Sequence, residues 1–200
     1  MGKIAHEFKT PLNTIIGQIE KIEDKYLQFD VVIDQKELLK DLNFIRYLSN
    51  YTVYLITDLM LFLNDEKPEN IIVDCSKKIN LRNTIEFSFE ILKVLVSLNK
   101  NKKNRVDTVI NFDEIIDYLD IYSDEVRLNQ IMLNLISNAV KFTNNGYIKV
   151  SCKFSYEKND IIISIEDTGS GIKDEDKDLV FNDNNGRRID LQYQQNKMGS

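Results

Sequence analysis

Apolar residues in the first 26 positions recur at helical spacing. Ile4, Phe8, Leu12, Ile15, Ile16, Ile19, Ile22 and Tyr26 gather on one side of a helical wheel. The spacing predicts a helix ending near Tyr26, then a connection over 27–35. A second helix is expected from Lys36 to about Asn64, where Leu38, Leu42, Ile45, Leu48, Thr52, Leu55, Leu59 and Phe62 alternate three and four apart. That is a heptad seam, and two long helices joined by a short link form a hairpin. Two such stripes carry more apolar surface than each covers for the other. Pairing of two copies into a four-helix bundle is the economical arrangement, and an intramolecular bundle against the rest of the chain is the alternative.

The polar run Asp65-Glu66-Lys67-Pro68-Glu69-Asn70 marks a boundary. After it the texture changes to alternating strands and helices. Residues 71–79 read as a strand, 81–98 as an amphipathic helix, 106–112 as a strand, and 113–122 is ambiguous. A strong helical pattern covers 124–143, with Ser123 or Asp124 available as N-cap. Asn144-Asn145-Gly146 reads as a turn, and 147–156 with 160–166 as a β-hairpin. From Thr168 onward the chain is polar with little periodicity. The fold class expected is α+β, with a helical hairpin at 1–66, forming a dimeric four-helix bundle, followed by an α/β sandwich at 71–200.

Composition narrows the function. With 42% hydrophobic residues in 200, the chain buries a real core. Net charge is −6 with both signs interspersed, which argues against a nucleic-acid binder. The basic cluster at 100–105 (KNKKNR) reads as a solvated loop. Cys75 and Cys152, far apart in strand-like surroundings, look like small buried residues of a reducing compartment. No apolar run reaches the roughly 20 residues that span a bilayer, and the nearest, 51–63, is interrupted by Asp58. The expected location is cytoplasmic with no membrane contact from this segment, which also fits the cytosolic part of a membrane receptor.

The chemistry concentrates in two places. His6 is the single histidine. A lone histidine is most often structural, but the wheel places this one about 150° from the middle of the apolar stripe. It stands beside Glu7 and one turn before Thr10. An imidazole titrating near neutrality becomes a nucleophile when a neighbour takes its proton, and Glu7 is placed to do so. Pro11 removes a backbone donor and is expected to bend the helix just past the histidine.

The second place is the 124–143 helix, where Arg127, Gln130, Asn134, Asn138 and Lys141 share a polar arc. Leu128, Met132, Leu133, Leu135, Ile136, Ala139 and Val140 take the other side. Asparagine is a mediocre helix former, so two of them one turn apart call for a reason. Amide oxygens suit Mg²⁺, and a lysine one turn on meets a phosphate as a point charge. At a strand end follows Asp167-Thr168-Gly169-Ser170-Gly171. A carboxylate there accepts from an exocyclic amine, and glycines let backbone approach a flat ring.

H-E-x-x-T-P-L at His6 resembles the phospho-acceptor box of sensor histidine kinases. Asn134, Asn138 and Lys141 resemble the N box of their ATP-binding domain, and Asp167, Gly169 and Gly171 its first glycine box, within the wider family shared with gyrase, Hsp90 and MutL. The resemblance covers nearly the whole chain. It implies that Asn134 and Asn138 handle Mg²⁺ and phosphates, that Lys141 approaches the phosphates, that Asp167 reads adenine, and that Phe142 lines the base pocket. It also implies ATP as phosphoryl donor, His6, Glu7 and Thr10 as the catalytic set, a homodimer, and a response-regulator receiver as partner. Leu179-Val180-Phe181 is similar to the F box that anchors the lid. The family's second glycine box, G-x-G-L-G, is not present in full, since the chain stops at Met198-Gly199-Ser200. The sequence therefore reads as an excerpt cut at both ends or the product of a truncated gene. Two other readings stay open at this point: a catalytically inactive dimerisation and phospho-acceptor module, and an ATPase of the Hsp90 or MutL kind, which leaves the His6 helix unexplained.

Overall fold

A computed structural model describes residues 2–26, 34–63, 73–99, 101–102 and 105–173, with the backbone alone at 2–7, 58 and 61–63. Helix α1 (Gly2–Tyr26) and helix α2 (Gln35–Leu63) are the expected hairpin. Asp34 starts α2 by accepting from the backbone N–H groups of Lys36 (2.9 Å) and Glu37 (3.3 Å), donors that otherwise lack a partner in the first turn. Across the hairpin, the Gln18 amide donates to Asp41 (2.9 Å) and Lys25 pairs with Glu37. The expected bend at Pro11 does not interrupt α1, which stays helical on both sides of it. Leu48 and Thr52 are buried on the seam of α2, whereas Leu12, Ile16 and Ile19 of α1 and Leu39, Leu42, Val53, Ile56 and Met60 of α2 remain exposed.

The second half begins with a short strand, β1 (Lys78–Ile79), and helix α3 (Leu81–Leu98). The expected strand over 71–79 shrinks to β1 among the described residues. At 75–76 the chain instead turns, and Asp74 accepts from the Ser76 backbone (3.0 Å) and hydroxyl (2.5 Å). That local bonding competes with a strand ladder. Cys75, expected buried, is exposed in this turn, and Cys152 is buried as expected. Burial pushes the Cys152 thiol up to about 11, which keeps it protonated and inert.

Strand β2 (Val106–Phe112) leads to a 3-10 helix at Glu114–Tyr118, strand β3 (Ile121–Tyr122), helix α4 (Glu125–Phe142), and the hairpin β4 (Gly146–Ser155) and β5 (Asp160–Asp167). The ambiguous stretch 113–122 thus resolves into a 3-10 turn and the strand that pairs with β1. In the main sheet, order β2-β4-β5, β2 runs parallel to β4 from Val106↔Gly146 to Phe112↔Cys152, and β4 runs antiparallel to β5. A parallel pair needs a crossover, and α4 supplies it.

The core explains the arrangement. Leu81, Ile85, Phe89, Leu92 and Val96 of α3, Met132, Ile136 and Ala139 of α4, and Ile148, Val150 and Cys152 of β4 form one buried cluster. This is the helix layer on sheet layer of an α/β sandwich, and the fold class is α+β. A second cluster joins α2 to the sandwich: Tyr54, Ile91 and Leu133, with the Tyr47 ring tilted against that of Phe87 at 5.7 Å. By compactness the chain divides after Gly169 into Met1–Gly169 and Ser170–Ser200.

Both sandwich helices start on side-chain caps. Asn80 accepts from the Asn83 N–H at α3 (3.0 Å), and Asp124 from the Arg127 N–H at α4 (3.1 Å). Asn80→Ala is expected to cost about 1 kcal/mol in urea unfolding. Ile136→Ala, which empties a fully buried site, is expected to cost about 2–5 kcal/mol. The Arg127 N–H holds the Asp124 carboxyl below the usual aspartate range. Its folded pKa lies under its unfolded one, so its stabilisation is present above the unfolded value, about 4, and is lost as pH falls through the folded value. The melting-temperature gap between wild type and Asp124→Asn should therefore narrow from about pH 6 to about pH 2, as thermal scans across that range would show.

Candidate functional site

The rotation of α4 about its axis decides what it presents. Two buried hydroxyls of α3 set that rotation: Thr84 donates to Glu125 (2.9 Å) and Ser88 to Asn129 (3.1 Å), one turn apart on both helices. With Met132, Ile136 and Ala139 facing the core, Asn134, Asn138 and Lys141 come out on the exposed side, as the wheel predicts. Leu135 departs from the expectation. It lies about 60° or more off the centre of the buried face and is 47% exposed. Together with Ile131 and Phe142, also exposed, it forms an apolar border along the polar arc. The Lys141 ammonium lies 5.0 Å over the Phe142 ring.

The end of β5 meets the end of α4. Asp167 Oδ1 accepts from the Gly169 N–H (2.8 Å) and from the Thr143 hydroxyl (3.3 Å). Thr143 is fully buried as the C-cap of α4, so the carboxylate is tied directly to the helix that carries the asparagines. One carboxylate oxygen is thereby fixed. Gly169 is required by space: a Cβ there would sit 2.7 Å from Asp167 Oδ1 and 2.8 Å from the Phe142 carbonyl. Gly171, in the unit after Gly169, is required by conformation, with φ at +67°.

Sequence reasoning misses two residues that hold this junction. Thr143 passes as the polar end of a helix, although its place directly after N-A-x-K-F is the signal that it touches the site. Lys102 lies in the run taken for a solvated loop. Instead it is buried, and its ammonium donates to the carbonyls of Val140 and Lys141 (3.0 Å for the latter) in the last turn of α4. Burial lowers its pKa below the usual lysine range.

The structure brings Phe142, Asp167 and Gly169 together at the C-terminal end of α4, with Lys141 in its last turn, while Asn134 and Asn138 lie on the exposed face of the same helix one to two turns earlier. The oxygens offered there are hard amide and carboxylate donors, which fit Mg²⁺ held jointly with phosphates. His6 and Glu7 lie within α1, but their side chains fall outside the described residues, as does the stretch 174–200 with Leu179, Val180 and Phe181. Thr10 is exposed on α1, and its carbonyl accepts from the Thr14 hydroxyl (2.9 Å). Among the described residues no helix is long and apolar enough to cross a membrane.

Residues 123–199 match the family of histidine kinase-, DNA gyrase B- and HSP90-like ATPases. The chain is similar to the autoinducer 2 sensor kinase/phosphatase LuxQ of Vibrio parahaemolyticus, 26% identical over 188 residues, which is 90% of this chain and 20% of that protein. It is 32% identical over 186 residues to histidine kinase P4 of Formosa agariphila (90% and 12%). It is 31% identical over 187 residues to the hybrid signal transduction histidine kinase B of Dictyostelium discoideum (89% and 8%). The chain thus spans 8% to 20% of the length of these relatives. Among solved structures it resembles the Acinetobacter baumannii histidine kinase AdeS, at 21% identity over 88% of this chain and 78% of that one, with a TM-score of 0.43. The matched family over 123–199 and the run of kinase relatives along nine-tenths of the chain lead to one assignment: residues 123–199 are an ATP-binding module of the histidine kinase-, DNA gyrase B- and HSP90-like family, and the chain is similar to a stretch of sensor histidine kinases.

Proposed function

We propose that residues 1–66 form the dimerisation and phospho-acceptor hairpin and residues 71–200 the ATP-binding domain of one sensor histidine kinase core. The observation that carries the site is the tie from Thr143 to Asp167, which puts a carboxylate and an arc of two amides and an ammonium on one rigid support. In this reading Asp167 accepts from the exocyclic amine of adenine, with Gly169 beside it. Phe142 lines the base, and Lys141 meets the phosphates. Asn134 and Asn138 hold Mg²⁺ by their amide oxygens. The metal, when bound, neutralises charge on the phosphates.

The acceptor is His6. Its ring nitrogen forms a bond to the γ-phosphorus as the bond from phosphorus to the bridging oxygen breaks, releasing ADP, and Glu7 takes the ring proton. Catalysis is mostly positioning and charge neutralisation. The phosphoryl group then passes to a response-regulator aspartate, and Thr10, one turn from His6, assists the reverse dephosphorylation. The exposed apolar residues of the hairpin, Leu12, Ile16 and Ile19 on α1 and Leu39 and Leu42 on α2, support a homodimer in which a second copy covers them.

With Mg²⁺ and γ-labelled ATP, the chain is expected to take up label that is lost in acid and stable in alkali. Because His6 is the single histidine, His6→Gln should remove it entirely. Label that persists in the variant sinks the acceptor assignment. Gly169→Ala, which drives a Cβ into Asp167 and the Phe142 carbonyl, is expected to weaken ADP binding by about tenfold or more in calorimetric titration. Sedimentation should report a dimer for the chain and a shift toward monomer for Ile16→Lys. A wild-type monomer at high concentration would defeat the bundle.

A further inference from the structure

We infer that Lys102 is a positioning residue for adenine recognition: by holding the last carbonyls of α4, its ammonium fixes where Thr143 places Asp167. The inference rests on the reading of this junction as a nucleotide site, and adds to it a residue that touches neither the nucleotide nor Asp167.

The last four carbonyls of a helix have no partner within it. Three of the four are paired here. Ala139 accepts from the Thr143 N–H (3.0 Å). Val140 and Lys141 accept from the Lys102 ammonium. The Phe142 carbonyl packs where a side chain on Gly169 would stand. The turn that ends in Thr143 is thus pinned from below by a cation at the negative end of the helix, the sign the macrodipole favours.

Lys102 is itself rigidly held. Its N–H donates to the Asn99 carbonyl (2.8 Å), and its carbonyl accepts from the N–H groups of Arg105 and Val106 (both 2.9 Å) at the start of β2. The Gly146 N–H, at the start of β4, closes the loop on the Arg105 carbonyl (2.8 Å). The ammonium therefore reaches α4 from the sheet scaffold. It is 5% exposed, so it offers no charge to a phosphate in solvent. Burial disfavours its charged form. A charge kept at such a place acts locally, on the turn it caps, and the phosphate-facing Asn134 and Asn138 lie one to two turns earlier.

The test is calorimetric titration of wild type, Lys102→Met and Lys102→Arg with Mg²⁺ and either ADP or inosine diphosphate, which lacks the exocyclic amine. Melting temperatures are measured in parallel. In the wild type ADP should bind tighter than inosine diphosphate. Lys102→Met is expected to lose about tenfold in ADP affinity while inosine diphosphate changes little, so that the ratio falls toward one, and Lys102→Arg should restore it. A purely structural lysine would lower both affinities together with the melting temperature. Equal losses, no loss, or a ratio that Lys102→Arg fails to restore each overturn the role. If circular dichroism shows Lys102→Met unfolded, Lys102→Gln, which keeps a donor without the charge, carries the same comparison. A wild type that binds neither nucleotide overturns the site reading itself, which separates that failure from the failure of Lys102 alone.

Discussion

Everything at the site depends on the burial of one face of α4. Met132, Ile136 and Ala139 against β4 and α3 leave the helix a single rotation in which the core is dry. Asn134, Asn138 and Lys141 are outward because those three are inward. A helix cannot turn by one residue without moving side chains about 100°, which would bury amides and expose a methionine and an isoleucine. The polar pairs Thr84–Glu125 and Ser88–Asn129 add direction to what the apolar contact supplies in area. Apolar burial is indifferent to small slides, and hydrogen bonds are not.

From that fixed rotation the rest follows by short links. The chain leaves α4 at a buried threonine, turns, and starts β4 as the central strand, paired with β2 on one side and β5 on the other. Strand β5 then ends at Asp167, back beside the threonine. A sequence separation of 24 residues closes into one hydrogen bond because a hairpin returns the chain to where the helix ended. Glycine at 169 is the last link, since any side chain would push the carboxylate and the helix end apart.

Much of this is legible without coordinates, and for a physical reason. The apolar periodicities of α1, α2, α3 and α4 and the alternation of β4 and β5 are local signals, and each element appears where its pattern places it. Asn134, Asn138 and Asp167 stand out because their residue types are unusual for a helix interior and a strand end. What stays hidden depends on contact between distant positions. Lys102 looks like any basic loop residue until the carbonyls of Val140 and Lys141, 38 and 39 positions later, are brought to it. Leu135 lies at the margin of the apolar stripe, where a wheel separates inside from outside poorly. Around Cys75 the mixed pattern favours a strand, but the Asp74 side chain forms the local bonds that a turn needs.

Leu133 and Asn134 are neighbours on α4 with opposite allegiances. Leu133 is buried against Tyr54 of the hairpin, and Asn134 faces outward with the polar arc. A rigid helix has no slack between adjacent residues, so a twist or slide that reseats one reseats the other. The hairpin and the polar arc therefore grip the same axle from two sides. Thermodynamic linkage makes that grip mutual: whatever a ligand on the arc does to the tyrosine contact, a movement of α2 does in equal measure to the ligand.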